Sequence, residues 1–380
     1  MAKTAQIIVK SCNRRDLELN QVKNFLIGNG YEVEEVEARQ FLELGESQIS
    51  KNADLILFST CAFSSVTEDS AIRDLQLVQR AKKSGAQVLV CGCLPNINPE
   101  RLGNIFKGPK FGPRSYESLN EILRPGRPYE AFSHGNETLT YGKDTFVIQI
   151  HEGCPRNCSY CAIKLSVGKL RSMPIDAVII EFQRGLASGY KKFLLLGDCS
   201  GGYGLDRNES LEDLLRRIAR IEGEFSLSLT DIACFYLPSS YEVIKLLTVQ
   251  KRLPYLYIAT QSANPRILQL MRRSADMTAV KNMLLELRAI DPRLELVTSI
   301  IAGFPSETVE ELNDTIEFCQ AIQFNQVFCH GYSARPGVES THFSGQLSDL
   351  EIQERCNLVK SRLGRMVSIM TIPGVGAFTA

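Results

Sequence analysis

Residues 146–161, FVIQIHEGCPRNCSYC, join a hydrophobic run to a loop that carries three cysteines. The run FVIQIH is short and largely apolar, which predicts a buried β-strand. Cys154, Cys158 and Cys161 then follow at spacings of four and three residues. In β/α barrels the active site lies in the loops after the carboxyl ends of the strands. The stretch therefore predicts a barrel strand together with the site that it supports.

The chain on both sides of this stretch alternates strands with helices, which predicts an α/β protein of two domains. Residues 1–110 predict a doubly wound, flavodoxin-like parallel sheet, with strands near 5–10, 31–37, 53–60 and 87–92. Residues 145–365 predict a partial parallel (β/α) barrel, with strands near 146–151, 192–197, 229–234, 255–260, 295–301 and 326–331. Residues 111–144, rich in Gly, Pro and polar residues, predict a connector, and residues 366–380 predict a short C-terminal tail.

The composition is that of a globular protein with balanced charge. Lys+Arg and Asp+Glu are both 43 in 380 residues, which argues against a large non-specific nucleic-acid surface. No run of about 18 apolar residues occurs, and the first apolar run is too short for a signal peptide. We therefore expect a cytoplasmic protein without membrane association. Twelve cysteines in such a chain suggest metal ligands or buried core thiols instead of disulfides.

The three cysteines of the quoted loop suit an iron–sulfur cluster. Three thiolates hold three irons of a [4Fe–4S] cluster and leave the fourth iron open to a small chelating ligand. The alternatives are a zinc site or three unrelated thiols. Zinc motifs usually pair two close Cys units, or Cys with His, and no second close Cys pair with suitable spacing follows.

Three further cysteines follow strands of the first domain. Cys12, Cys61 and Cys93 come after the first, third and fourth predicted strands. The carboxyl ends of parallel strands lie at one edge of a sheet, so these thiols can meet and hold a second cluster. The alternative is that they are buried core thiols, because Cys is among the most buried residue types. Six cysteines match no cluster position and are expected to be core thiols: Cys91, Cys199, Cys234, Cys319, Cys329 and Cys356. Among them the sequence leaves the role of Cys199, next to Asp198, the least settled.

The cluster loop CPRNCSYC, including Tyr160, resembles the motif of the radical S-adenosylmethionine (SAM) enzymes. Other motifs are similar to those of one family within that group, the methylthiotransferases. They cover about residues 5–365 and read SCNRRD, STCAF, CGCLPN, LLGDCSGGYG, IATQSANPRILQLMRR, IIAGFPSETVEE and YSARPGVES.

The resemblance implies an enzyme that converts a C–H bond to C–SCH3, in a tRNA adenosine or in an aspartate of a ribosomal protein. It implies two [4Fe–4S] clusters and two SAM molecules per product. One SAM methylates a sulfur on the auxiliary cluster, and the other is cleaved to a radical that takes hydrogen from the substrate. By this resemblance Cys154, Cys158 and Cys161 hold the radical cluster, and Cys12, Cys61 and Cys93 hold the auxiliary one. A flavodoxin or ferredoxin is the expected electron donor.

Polar residues at the ends of barrel strands are candidates for contacts with SAM or substrate. Asp198 and Gln261 are the candidate catalytic residues, and Tyr160, Asp198, Gln261, Ser262 and Arg335 are candidate binding residues. Each has a plainer alternative. Asp198 before its turn suits a capping role, Gln261 and Ser262 suit a structural role, and Arg335 suits a solvated surface position.

Several departures from the family pattern bear on the substrate. Family members that modify tRNA carry a small C-terminal β-barrel that grips RNA, and no such domain fits after residue 365. Lys164, Val167 and Met173 replace Pro, Arg and Arg of the family, while Gly168, Ser172 and Pro174 remain, and Ser299 stands where Asp is usual. We therefore expect a peptide or protein substrate, such as a ribosomally made natural-product precursor. The alternatives are a tRNA adenosine, another sulfur-inserting radical SAM reaction, and a two-cluster electron carrier without catalysis.

Overall fold

The computed structural model describes residues 3–38, 44–138 and 141–371. These residues form two compact units. Unit 1 contains the described residues up to 138 together with Ala162–Val167 and Arg335–Gly337, and unit 2 contains the remainder. Each unit has its own parallel sheet, so the predicted α/β fold class is confirmed.

Unit 1 is built on four parallel strands in the order β2-β1-β3-β4. The strands are β1 Lys3–Val9, β2 Tyr31–Glu37, β3 Leu55–Thr60 and β4 Gln87–Gly92. The order reverses next to β1, as in a doubly wound sheet, where ligands bind beyond the carboxyl ends of the strands. The helices are α1 Asp16–Gly28, α2 Ser65–Ala81, α3 Leu94–Ile97, α4 Pro99–Ile105, α5 Ser118–Leu123 and α6 Ile163–Val167.

The segment predicted as a connector packs instead onto the core of unit 1. Phe111, Tyr116, Leu119 and Tyr129 are buried in one cluster with residues of β1 and α1 such as Phe25. Aromatic side chains bury large areas and so outweigh the Gly and Pro residues around them. Residues 139–140 of the predicted connector lie outside the described residues.

Unit 2 contains seven parallel strands in the order β13-β12-β11-β10-β9-β8-β5, and a separate two-stranded hairpin, β6-β7. The strands are β5 Thr145–Gln149, β6 His151–Glu152, β7 Arg171–Ser172, β8 Lys192–Leu196, β9 Ser226–Ala233, β10 Tyr255–Gln261, β11 Glu295–Ala302, β12 Gln326–Gly331 and β13 Val367–Thr371. The helices are α7 Ile175–Ala187, α8 Leu211–Ala219, α9 Leu237–Val249, α10 Pro265–Leu270, α11 Met277–Ile290, α12 Val309–Ile322 and α13 Asp349–Leu363. All six predicted strands are present.

The seventh strand, β13, was not predicted. It pairs with β12 in parallel and begins where the sequence suggested only a short tail. Residues 372–380 of that tail lie outside the described residues. The sequence VSIMT is too short to show a clear strand pattern of its own. Its parallel pairing with β12 identifies it as a strand.

The strands of unit 2 bury alternate residues against the helices. In β5 and just beyond it, Phe146, Ile148 and Ile150 pack in the main core with Phe182 of α7. Successive strand residues point to opposite faces, so the residues between them face the inside of the curved sheet. His151 is on this inner register, three residues before the first loop cysteine. No described helix is long and apolar enough to cross a membrane.

Candidate functional site

The three-cysteine loop of unit 2 follows β5 and β6 and is held by backbone contacts. Cys154, Cys158 and Cys161 are all partly exposed. The amide of Cys154 donates to the carbonyl of Gly168 at 3.3 Å, and the amide of Cys161 donates to the carbonyl of Cys158 at 3.1 Å. The Ser159 hydroxyl donates to a carbonyl of α10 at 2.7 Å. These bonds fix the loop and leave the thiols accessible.

Asp198 stabilises the start of this loop. Its Oδ2 accepts a hydrogen bond from the amide of Gly153 at 2.7 Å. Asp198 comes just after β8, the neighbour of β5 in the sheet, so the two strand ends bring the carboxylate to the loop. The contact matches the capping role that the sequence left open. A catalytic role for Asp198 stays a prediction.

A fourth thiol, Cys199, lies beside the loop. Its hydrogen bond with the thiol of Cys154, together with burial, raises the pKa of Cys199 well above the ordinary value. Cys199 is buried, in contrast to the three loop cysteines. It is therefore a neighbour of a candidate cluster ligand, a position that its sequence context did not reveal.

Arg273 also contacts the loop, and the sequence did not single it out. Its Nη1 donates to the Sγ of Cys158 at 3.9 Å, and its Nη2 donates to the carbonyl of Ala259 at 2.5 Å. The guanidinium lies over the ring of Phe235, 5.2 Å from its centre. The side chain is only 6% exposed. The available signal was the pair Arg272–Arg273 in the quoted motif LQLMRR, but nothing in that motif tells one Arg from the other.

Gln261 lies at the end of β10 in a left-handed backbone conformation, with φ of 71°. Its Nε2 donates to the hydroxyl of Ser299 at 3.1 Å, while its Oε1 is buried without a hydrogen-bond partner. An unsatisfied buried acceptor is costly, and such an atom often marks a place where a ligand or water binds. The pair also involves Ser299, the residue that replaces the family's Asp.

Ser262 and Tyr160 lie in packed surroundings. The Ser262 hydroxyl is fully buried, lies 3.2 Å from the hydroxyl of Thr315, and accepts from the amide of Asn264 at 3.2 Å. This arrangement fits the structural role that the sequence left open. Tyr160 packs against the cluster that contains Met271 and Phe304, and burial raises the pKa of Tyr160 well above its ordinary value. Contacts of Ser262 and Tyr160 with SAM stay predictions.

His151 is a second residue that the sequence did not single out. It is 2% exposed, and neither ring nitrogen has a hydrogen-bond partner. Burial lowers the pKa of His151, so the ring is neutral near pH 7. The ring lies against Gly197, where any side chain would overlap it. The inner wall of the barrel thus presents an unsatisfied imidazole near the loop.

Two of the three strand-end cysteines of unit 1 are in contact, and their joint role as cluster ligands stays a prediction. The thiols of Cys12 and Cys61 are hydrogen-bonded, and Cys93 is close enough to act electrostatically on Cys61. The Cys61 hydrogen bond, with smaller contributions from Arg14 and Arg15, lowers the pKa of Cys12 to about 6 against the effect of burial. The same hydrogen bond raises the pKa of Cys61 well above its ordinary value.

The donor chemistry of both sets fits an iron–sulfur cluster better than a single ion. In the part of the chain that the structure describes, no group of three His, Cys, Asp or Glu side chains is placed to hold one metal ion. A zinc ion needs all its ligands around one point. In a [4Fe–4S] cluster each thiolate binds its own iron, so the thiols need only be neighbours. The loop after β5 and β6 supplies three partly exposed thiols, and the strand ends of unit 1 supply three more, so each set offers the ligands that such a cluster binds.

Arg335 belongs to unit 1 and is not a solvated surface residue. Its guanidinium forms an ion pair with Glu68 of α2, and the two side chains are 3% and 1% exposed. Glu68 also accepts from Arg101 at 2.7 Å and from Asn98 at 2.9 Å. The expectation of solvation is wrong for this residue. Its predicted contact with SAM or substrate stays a prediction.

Comparison with known proteins supports the motif resemblance over most of the chain. Residues 148–319 match the radical SAM superfamily, and residues 5–110 match the uncharacterized protein family UPF0004. The threonylcarbamoyladenosine tRNA methylthiotransferase MtaB of Thermotoga maritima is 28% identical over 347 residues, covering 87% of this chain and 77% of that protein. The ribosomal protein uS12 methylthiotransferase RimO of Mannheimia succiniciproducens is 29% identical over 328 residues, covering 80% and 71%.

A solved structure supports the fold. The radical SAM methyltransferase TsrM of Kitasatospora setae superposes with a TM-score of 0.61 at 12% identity, covering 89% of this chain and 75% of that one. At this identity the likeness concerns architecture alone. With the two family models matching successive parts of the chain and both relatives named as methylthiotransferases, the comparisons support the radical SAM methylthiotransferase family, whose members are enzymes that transfer a sulfur-containing group.

Proposed function

We propose that this protein converts a C–H bond of its substrate to C–SCH3. Two groups of three cysteines carry the proposal, one in the loop after β5 and β6 and one after strands of the parallel sheet of unit 1. Cys154, Cys158 and Cys161 hold the radical [4Fe–4S] cluster, and residues of the first domain, Cys12, Cys61 and Cys93, hold the auxiliary one. When bound, the clusters and SAM supply the radical and the methylthio group. A cytoplasmic flavodoxin or ferredoxin supplies the electron.

The chain's own residues hold and shield this chemistry. Asp198 fixes the amide of Gly153 and with it the start of the cluster loop. Gln261 presents its unsatisfied Oε1 as an acceptor for SAM or substrate. Tyr160 anchors the loop by packing against the hydrophobic cluster that contains Met271 and Phe304.

A residue of a peptide or protein is the substrate that we propose first. The zero formal net charge argues against a large non-specific surface for phosphates. In addition, Ser299 places a hydroxyl, hydrogen-bonded to Gln261, where the family usually has a carboxylate. A tRNA adenosine is the second candidate, because the Thermotoga relative is named for tRNA.

The methyl-transfer half of the proposal can be tested without a substrate. The protein is reconstituted with iron and sulfide without oxygen, given SAM without reductant, and quenched with acid. S-adenosylhomocysteine and methanethiol are expected from the wild type and lost in the triple variant Cys12→Ala, Cys61→Ala, Cys93→Ala. The matched control is Cys319→Ala, a buried thiol of α12, which should keep both products.

Each outcome assigns the chemistry. If the wild type gives neither product but forms deoxyadenosine with dithionite, the protein is a radical SAM enzyme of another kind and methylthiolation is refuted. A gel shift with tRNA that weakens steeply with salt would favour the second substrate over the first, since phosphate contacts dominate such binding.

A further inference from the structure

Arg273 is a buried cation held against the cluster loop by three separate contacts. Its Nη1 donates to Cys158, its Nη2 donates to Ala259 of β10, and the guanidinium plane lies over Phe235. Its Nε is buried and has no hydrogen-bond partner. A guanidinium costs free energy to bury unless it serves a partner of opposite charge. Arg273 also acts on the buried thiol of Cys234, which stays protonated because burial raises its pKa. Among the contacts described for Arg273, the Cys158 thiol is the group that becomes anionic on binding iron in the proposed cluster.

We propose that Arg273 is a positioning residue of the radical cluster that raises its reduction potential and holds the Cys158 thiolate in place. The inference rests on the proposed function, since it needs a cluster at this loop. Reduction adds one electron, and therefore one negative charge, to the cluster. A cation hydrogen-bonded to a ligand sulfur stabilises the reduced form more than the oxidised form.

The surroundings make this charge effective. Arg273 is 6% exposed, so water and salt screen it little. The Ala259 carbonyl and the Phe235 ring fix the guanidinium, so no large reorganisation accompanies reduction. A lysine at this position would keep the charge. Its single ammonium could not make the hydrogen bonds to Cys158 and Ala259 and the contact with the Phe235 ring at the same time.

The neighbouring residue provides a matched control. Arg272 is 45% exposed at its side chain and pairs with Glu339 at 2.6 Å. Arg272 has the same charge as Arg273 and is adjacent to it in sequence. In the described structure its guanidinium pairs with Glu339 and makes no hydrogen bond to a loop thiol. Arg272→Gln therefore removes an equal charge from the same segment and leaves the proposed contact intact.

The test is a redox titration of the reconstituted holoenzyme with dithionite, followed by electron paramagnetic resonance, with the auxiliary cysteines replaced so that one cluster is observed. Arg273→Gln should show a lower midpoint potential than its parent, Arg273→Lys a smaller decrease, and Arg272→Gln no change. Loss of iron from a folded Arg273→Gln protein, with iron retained in Arg273→Lys, would also support the positioning role.

Two results would overturn the inference. An unchanged midpoint potential in Arg273→Gln would show that the charge does not act on the cluster. Loss of the folded far-ultraviolet circular dichroism signal in Arg273→Gln, but not in Arg272→Gln, would assign Arg273 to packing alone. Absence of a reducible cluster from the parent protein itself would instead refute the proposed function, so the two failures are distinguishable.

Discussion

Replacing Arg335 by Met is expected to destabilise unit 1 while leaving SAM binding unchanged. Arg335 and Glu68 form a buried ion pair, with side chains 3% and 1% exposed. Removing one member of such a pair costs about 3–5 kcal/mol, because the other charge remains buried and uncompensated. Glu68 keeps Arg101 and Asn98 as partners. We therefore expect a loss at the lower end of the range, about 3 kcal/mol.

The loss can be measured by urea unfolding followed by circular dichroism, since the chain has no Trp for fluorescence. The control Arg101→Gln removes a partner that is 43% exposed, and its cost should be about 1 kcal/mol or less. The double variant Glu68→Gln, Arg335→Met removes both charges and should lose less stability than the sum of the two single variants.

Two outcomes would refute this reasoning. A stability of Arg335→Met equal to that of the wild type would show that the ion pair does not contribute. Normal stability with loss of SAM binding in equilibrium dialysis would assign Arg335 to the ligand, as the sequence suggested. The cluster-bound protein is used for the binding measurement.

Other residues give further predictions. Burial raises the pKa of Glu307 to about 8 from 4.5, so the folded protein holds this proton more tightly than the unfolded chain. The stability that this confers is present below about pH 4.5 and is lost as pH rises through about 8, so Glu307→Gln should flatten the pH dependence of the urea midpoint in this window. Gly197→Ala should cost about 1–3 kcal/mol in urea unfolding because its methyl overlaps His151, and a milder effect in the double variant with His151→Ala would confirm the cause. Thr308→Ala removes the capping box of α12 and should cost about 1 kcal/mol by the same measurement, whereas Thr278→Ala, whose side chain is outside such a box, should cost less.

The sequence predicted the parts of the fold that depend on local pattern. The strand and helix alternation placed β2 and β4 at the observed residues, and the cysteines after β1, β3 and β4 were expected at one sheet edge. Properties that depend on distant partners were not accessible. β13 is defined by its pairing with β12. The aromatic residues of 111–138 are ordered by packing against the core of unit 1, which their own sequence does not show.

The same distinction applies to the candidate site. The spacing of the loop cysteines is local and could be seen at once. The contact of Arg273 with Cys158 spans 115 residues, and the contact of Asp198 with Gly153 spans 45. Arg272 and Arg273 are identical in type and adjacent in sequence, yet one is solvent-exposed and the other is buried against the loop. Only the fold decides between them.

Cys91 and Cys12 differ in their surroundings and in the direction of their pKa shifts. Cys91 lies inside β4, fully buried, and burial raises its pKa, so it stays a protonated core thiol. Cys12 follows β1, where loop backbone and two arginines are near, and its pKa is lowered to about 6. Cys199, beyond β8, is hydrogen-bonded to Cys154 and so lies beside the candidate site, although no motif marks it. That hydrogen bond and burial raise its pKa, so Cys199 stays a protonated thiol, as Cys91 does.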